Sequence, residues 1–425
     1  MRIVAIALGT YGDVEPFAVL GEELLQRGHD FRLVAFASSA DWIREQGIEA
    51  VVFPGDCAQI VKKLYDKQNT AQDIGNVMAE FFSGILENRD TATRLCANAD
   101  LILYMQFGAF IRHYAEKMGI PCIRTSVFPD TKTRLYAPLH PHVKRGSIKC
   151  SLSYDLEWIA GNMLGHREVN QWRAELGLKK ISVFTSDRKT KTGTIPTLYQ
   201  YSPVLVPPDP NWDSSVQVTG TWSRMKRCEE KPNAELERFI QQGPVIYIGF
   251  GSMYPQDMEQ LQETVEAAIE LAGIRAVISL HGGNFKKRAF SERICYVDFV
   301  SYDWLFSNIK GVVCHGGCGT VHKALEHGLP VLVLAFGGDQ LFFGQQVEVV
   351  KAGPKPVDMK EEAPGAEELA KQFLELLKPD FAQAAGSIGS AIRQEDGCRR
   401  AADFIERYLR QRKGRREDER ERNTV

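Results

Sequence analysis

Short apolar runs alternate with stretches of helical periodicity along most of the chain. The clearest runs are residues 3–8, 30–37, 50–53 and 101–104 in the first half, and residues 244–250, 276–280, 294–299, 311–314 and 331–336 in the second. Uninterrupted apolar runs of this length are typical of strands that are buried on both faces of a parallel sheet. The pattern therefore predicts an α/β protein built from two series of strand–helix units.

Length and charge divide this pattern into two domains. A chain of 425 residues is too long for one ordinary core. Residues 224–232 are charged and lack an apolar pattern, as expected of an interdomain linker. We predict an N-terminal domain over 1–222, a linker over 223–243, a C-terminal domain over 244–395, a helix over 396–412 and a disordered charged tail over 413–425.

Composition narrows the choice of environment and partners. A net charge of −2, with 25% charged residues, gives no basic footprint for nucleic acid. No apolar run is long enough to cross a bilayer, and the mixed-charge tail suits at most peripheral contact with a membrane. The chain enters a strand directly after Met1, without a signal-peptide pattern, and its nine cysteines include no Cys-x-x-Cys pair. We expect a cytoplasmic protein without structural disulfides.

The apolar run at 311–314 leads into a turn that is rich in glycine. His315, Gly317, Gly319 and Thr320 follow the run and precede a stretch of helical period. A glycine turn at a helix N-terminus offers unpaired backbone N–H groups and the positive end of the helix dipole, so it can bind an anion such as diphosphate. The alternative interpretation is a tight turn that binds no ligand.

Two polar residues end the next apolar run and favour the ligand-binding interpretation. Asp339 and Gln340 follow the run at 331–336. In an open parallel sheet both places lie at the carboxyl edge, where ligands bind. We therefore predict one site, in which the glycine turn holds a diphosphate and Asp339 and Gln340 hold a polyhydroxyl group.

Other candidates are weaker when each is taken alone. Asp13 stands where the first strand meets its helix, and a carboxylate there is either functional or only a complement to the helix dipole. The same turn lacks Gly-x-Gly-x-x-Gly, so no dinucleotide is predicted. Ser252 either caps a helix or contacts phosphate. Cys314, Cys318 and His315 are a poor set of zinc ligands, so no metal is predicted.

Two further segments bear on a possible pocket. Residues 56–93 are helical but irregular and carry many apolar and aromatic side chains, which either pack in the core or form the wall of a pocket. Residues 125–147 are loop-like, and a loop of this length inside a compact domain is typically functional or mobile.

Taken in order, these motifs resemble the GT-B glycosyltransferases of the sterol glucosyltransferase and antibiotic glycosyltransferase branch. The similarity covers nearly the whole chain and depends on six segments: residues 9–16, 119–123 with Pro129, 216–222, 247–253, 302–306 and 315–340. Residues 9–16 resemble the family pattern Gly-[Ser/Thr]-x-Gly-Asp-Val-x-Pro. The resemblance implies two Rossmann-like domains that face each other across a cleft, with the C-terminal helix crossing back to the N-terminal domain.

The resemblance also implies an activity and a role for each candidate residue. It implies inverting transfer of a sugar from a nucleoside-diphosphate sugar, either UDP-glucose or a dTDP-sugar, to an acceptor hydroxyl, with no other cofactor required. Asp13 falls on the general base. The donor-binding positions are Gly12, Ser252, Trp304, His315, Gly317, Cys318, Gly319, Thr320, Asp339 and Gln340. One departure is that Cys314 and Cys318 stand where the family often has His and Ala.

Two alternatives belong to other classes. One is a sugar-nucleotide epimerase of the same fold, which needs no acceptor, and the other is a non-catalytic partner protein. The apolar residues of 56–93 and the long loop favour an acceptor pocket, and therefore a transferase acting on a lipophilic acceptor such as a sterol, terpenoid, polyketide or glycolipid. The presence of Asp13, His315, Asp339 and Gln340 argues against a loss of chemistry.

Overall fold

The structure of the protein is a computed structural model. It describes residues 1–57, 60, 63, 71–186, 188–190, 193–223, 234–251, 253, 258–281, 285–288, 291–361 and 363–422. Ser252 and the charged centre of the predicted linker lie outside these residues.

The N-terminal half is organised around a parallel sheet of seven strands, in the order β3-β2-β1-β4-β5-β8-β9. Its strands are β1 (Arg2–Ile6), β2 (Asp30–Phe36), β3 (Glu49–Phe53), β4 (Leu101–Tyr104), β5 (Cys122–Ser126), β8 (Thr197–Tyr199) and β9 (Val216–Val218), and a hairpin of β6 (Lys189–Thr190) and β7 (Gly193–Thr194) stands apart. The helices of this half are α1 (Tyr11–Gln26), α2 (Ala37–Glu45), α3 (Ala71–Glu87), α4 (Arg89–Cys96), α5 (Ile111–Met118), α6 (Ile148–Met163) and α7 (His166–Glu175).

The C-terminal half has a second parallel sheet, in the order β12-β11-β10-β13-β14-β15. Its strands are β10 (Val245–Gly249), β11 (Arg275–Ser279), β12 (Ile294–Val297), β13 (Gly311–Cys314), β14 (Val331–Ala335) and β15 (Val357–Asp358). The helices are α8 (Ala234–Gln241), α9 (Met258–Ala272), α10 (Tyr302–Phe306), α11 (Cys318–Glu326), α12 (Gln340–Val349), α13 (Ala366–Leu376), α14 (Pro379–Ile392) and α15 (Gly397–Arg422). The predicted α/β architecture with two parallel-sheet domains is confirmed.

In both sheets the order of the strands reverses beside the strands that carry the candidate residues. In the first sheet β1 lies between β2 and β4, and in the second β10 lies between β11 and β13. A crevice opens at the carboxyl ends of the strands where the order of an open α/β sheet reverses. The topology therefore directs the end of β1 and the ends of β10 and β13 to the edges where ligands bind.

The structure corrects several predicted boundaries. Helix α1 begins at Tyr11, although residues 9–16 were predicted as a turn, because Asp13 and Thr10 form a capping box that starts the helix ahead of Pro16. The helical periodicity of residues 153–176 is interrupted at Gly165, whose φ of 65° ends the helical path, so two helices form. The apolar pattern of residues 197–206 forms a strand only as far as Tyr199, and β9 pairs beside that strand.

The predicted linker and tail also contain helices. Helix α8 lies within residues 223–243. Helix α15 continues to Arg422, although residues 413–425 were predicted as disordered. Arginine, glutamate and lysine are good helix formers, and charges of both signs at helical spacing support each other, so a charged tail of this composition can extend a docked helix.

The last helix packs against the first helix. Apolar side chains of α15 share one buried cluster with those of α1, with contributions from Phe17, Leu20, Leu24, Ala401, Ala402, Phe404, Ile405 and Leu409. Polar contacts border this cluster: Arg27 Nη1 donates to Asp403 Oδ1 at 2.7 Å, and His29 Nε2 lies 3.1 Å from Glu406 Oε1. The end of the chain therefore stabilises the N-terminal half.

Two other expectations concern cysteines and membranes. Among the described residues, no cysteine forms a disulfide. In the same part of the chain, none of the helices combines the length and the apolar character that a bilayer crossing requires.

Replacing Ile405 by alanine tests the packing of α15. The side chain is fully buried in the cluster that α15 shares with α1. Its loss leaves a cavity, so the free energy of unfolding should fall by about 2–5 kcal/mol. Denaturant unfolding measures this change, and the exposed Arg410→Ala on the same helix is the control. Equal stability of the two variants would mean that α15 is not docked in solution.

Candidate functional site

Two helix N-termini meet the carboxyl edges of the two sheets. Strand β1 leads into α1, and β13 leads into α11 through residues 315–317. The first N–H groups of each helix have no acceptor within the helix, and the helix dipole places partial positive charge there. The backbone of the site therefore carries partial positive charge. Its titratable side chains include carboxylates, which carry negative charge when ionised.

Asp13 is fixed by the residues just before it. Its Oδ2 accepts hydrogen bonds from Thr10 N at 2.7 Å and from Thr10 Oγ1 at 3.0 Å. A methyl group at Gly9 would lie 2.3 Å from the same oxygen, so only glycine leaves room for this carboxylate. Burial raises the pKa of Asp13, and the two bonds from Thr10 oppose that rise. Both bonds use Oδ2, which leaves Oδ1 as the candidate reactive oxygen.

Asp339 comes from the other half of the chain and interacts with Asp13. It precedes α12 at the carboxyl end of β14. Burial raises its pKa to about 7, a backbone hydrogen bond opposes this, and the negative charge of Asp13 raises it further. Two carboxylates that share a site disfavour each other's ionised form. The structure thus brings Asp13 and Asp339 within range of each other's charge across the gap between the domains.

A group of hydroxyls in the C-terminal half lies within range of the charge of α1 in the N-terminal half. Tyr302 Oη lies 3.1 Å from Tyr247 Oη and also bonds to the Thr320 side chain. Burial raises the pKa of Tyr302, and the charge of Glu15, on α1, adds to the rise. The sequence singled out Trp304 in this segment and missed Tyr302. Its signal was an aromatic residue with a hydroxyl at the start of the short helix α10.

His315 lies between two glycines. A methyl group at Gly317 would lie 2.5 Å from His315 Nε2, and one at Gly251 would lie 3.2 Å from Cε1. Burial lowers the pKa of His315 to about 4, so the ring is neutral near pH 7 and carries one N–H donor. Its Nδ1 is buried and has no hydrogen-bond partner among the described residues. Such a nitrogen is a candidate contact for a ligand oxygen.

The first turn of α11 completes the anion-binding part. The first helical bond runs from Val321 N to Gly317 O at 3.1 Å, so the N–H groups of Cys318, Gly319 and Thr320 precede the helical ladder. Gly319 is exposed, and no atom lies within 4 Å of where its Cβ would stand. A ligand can therefore approach this backbone closely.

Other predicted site residues occupy different environments. Gln340 is buried; its Oε1 accepts from Phe336 N at 2.7 Å and its Nε2 donates to Met253 Sδ at 3.2 Å. Its amide braces the loop after β14, which leaves less of it for a sugar than the sequence suggested. Gly12 is exposed in the first turn of α1, and Trp304 is half-buried against the C-terminal core.

A histidine that the sequence did not single out connects the two halves. His322 Nε2 accepts from Ser202 N at 3.1 Å, while its Nδ1 lies 2.8 Å from Cys318 O. The backbone N–H of Ser202 can only donate, so Nε2 is the acceptor and Nδ1 carries the proton. Burial lowers the pKa of His322 to about 4, which keeps the ring in this neutral form. Cys318 contacts this ring at 3.4 Å from Sγ to Nδ1.

Comparison with known proteins identifies the domains. Residues 3–137 match the glycosyltransferase family 28 N-terminal domain, and residues 274–389 match the erythromycin biosynthesis protein CIII-like C-terminal domain. The chain is 30% identical over 434 aligned residues, 96% of its length, to a sterol 3-beta-glucosyltransferase of Aspergillus terreus. It spans about 30% of the length of that curated relative.

Solved structures share the same arrangement of sheets. The glycosyltransferase of kitacinnamycin aligns with a TM-score of 0.71 and 19% identity, over 96% of this chain and 98% of that one. A Streptomyces sp. SF2575 glycosyltransferase complexed with thymidine diphosphate aligns with a TM-score of 0.64 and 16% identity, over 96% and 99% of the two chains. The fold is therefore that of the GT-B glycosyltransferases. More particularly, the chain joins a segment that matches the family 28 N-terminal domain to one that matches the EryCIII-like C-terminal domain, which confirms the resemblance seen in its motifs.

The interaction between the two carboxylates can be measured without any ligand. With burial and Asp13 acting together, Asp339 should titrate at a pKa of about 7. In Asp13→Asn the neighbouring negative charge is gone, so the pKa of Asp339 should fall. Carboxyl-carbon NMR titration of the two proteins measures the difference, with Asp41→Asn, an exposed acid on α2, as the control. An unchanged pKa in Asp13→Asn would show that the two side chains do not face each other in solution.

Proposed function

We propose that this chain is an inverting glycosyltransferase, independent of a metal ion, that transfers glucose from UDP-glucose to a hydroxyl of a lipophilic, sterol-like acceptor. The observation that carries the proposal is the electrostatic interaction of Asp13 with Asp339 across the gap between the two domains, with Asp339 in turn acting on Cys318 of the glycine turn. The name of the Aspergillus terreus relative supports glucose and a sterol. The neighbour complexed with thymidine diphosphate supports a nucleoside diphosphate as the carrier.

Asp13 is the proposed general base. The acceptor hydroxyl loses a proton as its oxygen attacks the anomeric carbon, and a carboxylate within hydrogen-bond reach can take that proton. Thr10 holds Oδ2, so Oδ1 can point to the acceptor. Burial raises the pKa of Asp13, which makes its carboxylate a stronger base than an exposed one.

The glycine turn and α11 are the proposed binding site for the leaving diphosphate. Charge builds up on the diphosphate as its bond to the sugar breaks. The first N–H groups of α11 and the N–H of neutral His315 can stabilise that charge without reorganising. Gly12, Ser252, Cys318, Gly319 and Thr320 are the further proposed donor contacts, with Trp304 near the base and Asp339 and Gln340 near the sugar. Attack from the side of Asp13, opposite the diphosphate, inverts the anomeric carbon.

Apolar residues of the N-terminal half are the proposed acceptor contacts. The described part of the irregular segment packs Phe81, Phe82 and Phe107 against one another, with ring centroids 5.1 to 6.2 Å apart. Phe81 is buried in the core, whereas Phe82 is only partly covered. The segment therefore serves both as core and as an apolar surface, which suits a lipophilic acceptor.

A coupled assay tests the activity and the role of Asp13. The protein is incubated with UDP-glucose, with and without a sterol, and UDP release is followed while mass spectrometry detects the glucoside. UDP release should be slow without acceptor and faster with it. Asp13→Asn should keep donor affinity but lower turnover by roughly two to four powers of ten, the usual scale for a general base. Asp41→Asn, which removes an exposed acid elsewhere, should match the parent.

Other results would point to other functions. Sugar interconversion without an acceptor would indicate an epimerase. Donor binding with neither hydrolysis nor transfer to any acceptor would indicate a non-catalytic partner. Full turnover in Asp13→Asn would exclude this side chain as the base, and a requirement for added magnesium or manganese would exclude metal independence.

The position of the His315 ring provides a second test. His315→Ala should weaken binding of uridine diphosphate, because it removes a donor to the phosphate. Gly317→Ala should do the same, because its methyl group would displace the ring. The control is Gly386→Ala on α14, where the added methyl group meets nothing within 4 Å. Calorimetry measures the three affinities, and equal values would contradict the proposed diphosphate site.

A further inference from the structure

A cluster of three potential metal ligands connects the two halves outside the proposed donor site. His142 belongs to the long loop of the N-terminal half, whereas Asp358 ends β15 and Glu361 follows it. His142 Nε2 lies 3.3 Å from Asp358 Oδ2 and 3.7 Å from Glu361 Oε1. One ligand atom from each of the three residues lies within 4.8 Å of the others.

These distances match the edges of a zinc coordination shell. Zinc binds histidine nitrogen and carboxylate oxygen at about 2.0–2.2 Å with tetrahedral geometry, which places neighbouring ligand atoms about 3.3–3.6 Å apart. The two measured separations of 3.3 and 3.7 Å therefore need only a small adjustment to accept the ion. Three protein ligands leave the fourth position to water.

The ligands are also held in place by their neighbours. Lys360 N donates to Asp358 Oδ1 at 3.0 Å, which orients this carboxylate and leaves Oδ2 toward His142. The loop that carries His142 is tied to the C-terminal half one residue earlier, because Gln345 Nε2 donates to Pro141 O at 3.1 Å. These two bonds therefore orient Asp358 and fix the backbone next to His142.

We propose that His142, Asp358 and Glu361 bind one zinc ion, or a similar late transition-metal ion, and that this ion bridges the two domains. Magnesium and calcium prefer shells made entirely of oxygen, so an imidazole ligand selects against them. Because the ligands come from both halves, binding stabilises the closed arrangement. This site supplies no step of the proposed transfer, and its test does not depend on that activity.

The same three side chains can also form an ion pair without metal when His142 is protonated. An ion pair alone predicts no saturable zinc binding. A direct binding experiment therefore distinguishes a zinc site from an ion pair.

Zinc binding to untagged, chelator-treated protein tests the proposal. Competition with a chromophoric chelator gives affinity and stoichiometry, and thermal unfolding gives the stabilisation. The parent protein should bind one zinc ion at this site and unfold at a higher temperature with zinc, but not with magnesium. His142→Ala and Asp358→Asn should each weaken this binding by roughly tenfold or more, since even the loss of a residue supporting a ligand costs that much. They should also lose the thermal shift.

His140→Ala is the matched control. It removes a histidine from the same loop whose Nε2 lies 3.2 Å from Glu157 Oε1, away from the cluster. This variant should bind zinc like the parent. All three substituted side chains are at least partly exposed, so unfolding without zinc should be unchanged and confirms that each variant is folded. Equal zinc affinity in every variant, or loss in His142→Ala with full retention in Asp358→Asn, would overturn the bridging site.

Discussion

The structure depends on the meeting of two helix N-termini across the gap between two parallel sheets. Each helix start offers unpaired N–H groups and a partial positive charge, and each side contributes a half-buried carboxylate, Asp13 or Asp339. Two carboxylates so placed oppose each other's ionisation, which contributes to the pKa of about 7 for Asp339. In the proposed function, this site exchanges a proton with the acceptor and receives an anion on its other side.

Contacts between the two halves, in addition to the Asp13–Asp339 interaction, keep them in this arrangement. His322 accepts from Ser202, and Tyr136 packs edge-on against Phe342 with ring centroids 5.7 Å apart. The C-terminal helix ends on the first helix and buries Ile405 there. These contacts differ in chemistry, but each joins residues that are far apart in the chain. The closed gap is therefore a property of the whole fold rather than of the loops that line it.

Several glycines of the site are needed because a side chain at their positions would occupy space that the site uses. Gly9 leaves room for the Asp13 carboxylate, and Gly317 leaves room for the His315 ring. Gly316 combines a φ of 92° with a Cβ position only 2.7 Å from Gln340 O, so the turn can pass close to α12. At these three positions any larger residue would move a functional group or the backbone that carries it. These glycines therefore leave the space that the site needs.

The sequence by itself determined the two series of buried strands, the glycine turn at a helix start and the candidate residues, because apolar periodicity and turn chemistry are local properties of the chain. It misjudged where α1 begins and where α15 ends, since capping and docking decide those limits. Only the tertiary structure decided that Asp13 acts on Asp339, that Gln340 braces its own loop, and that Tyr302, His322 and His142 lie between the halves. These relations join residues that are distant in the chain, so they arise only when the two sheets are packed together.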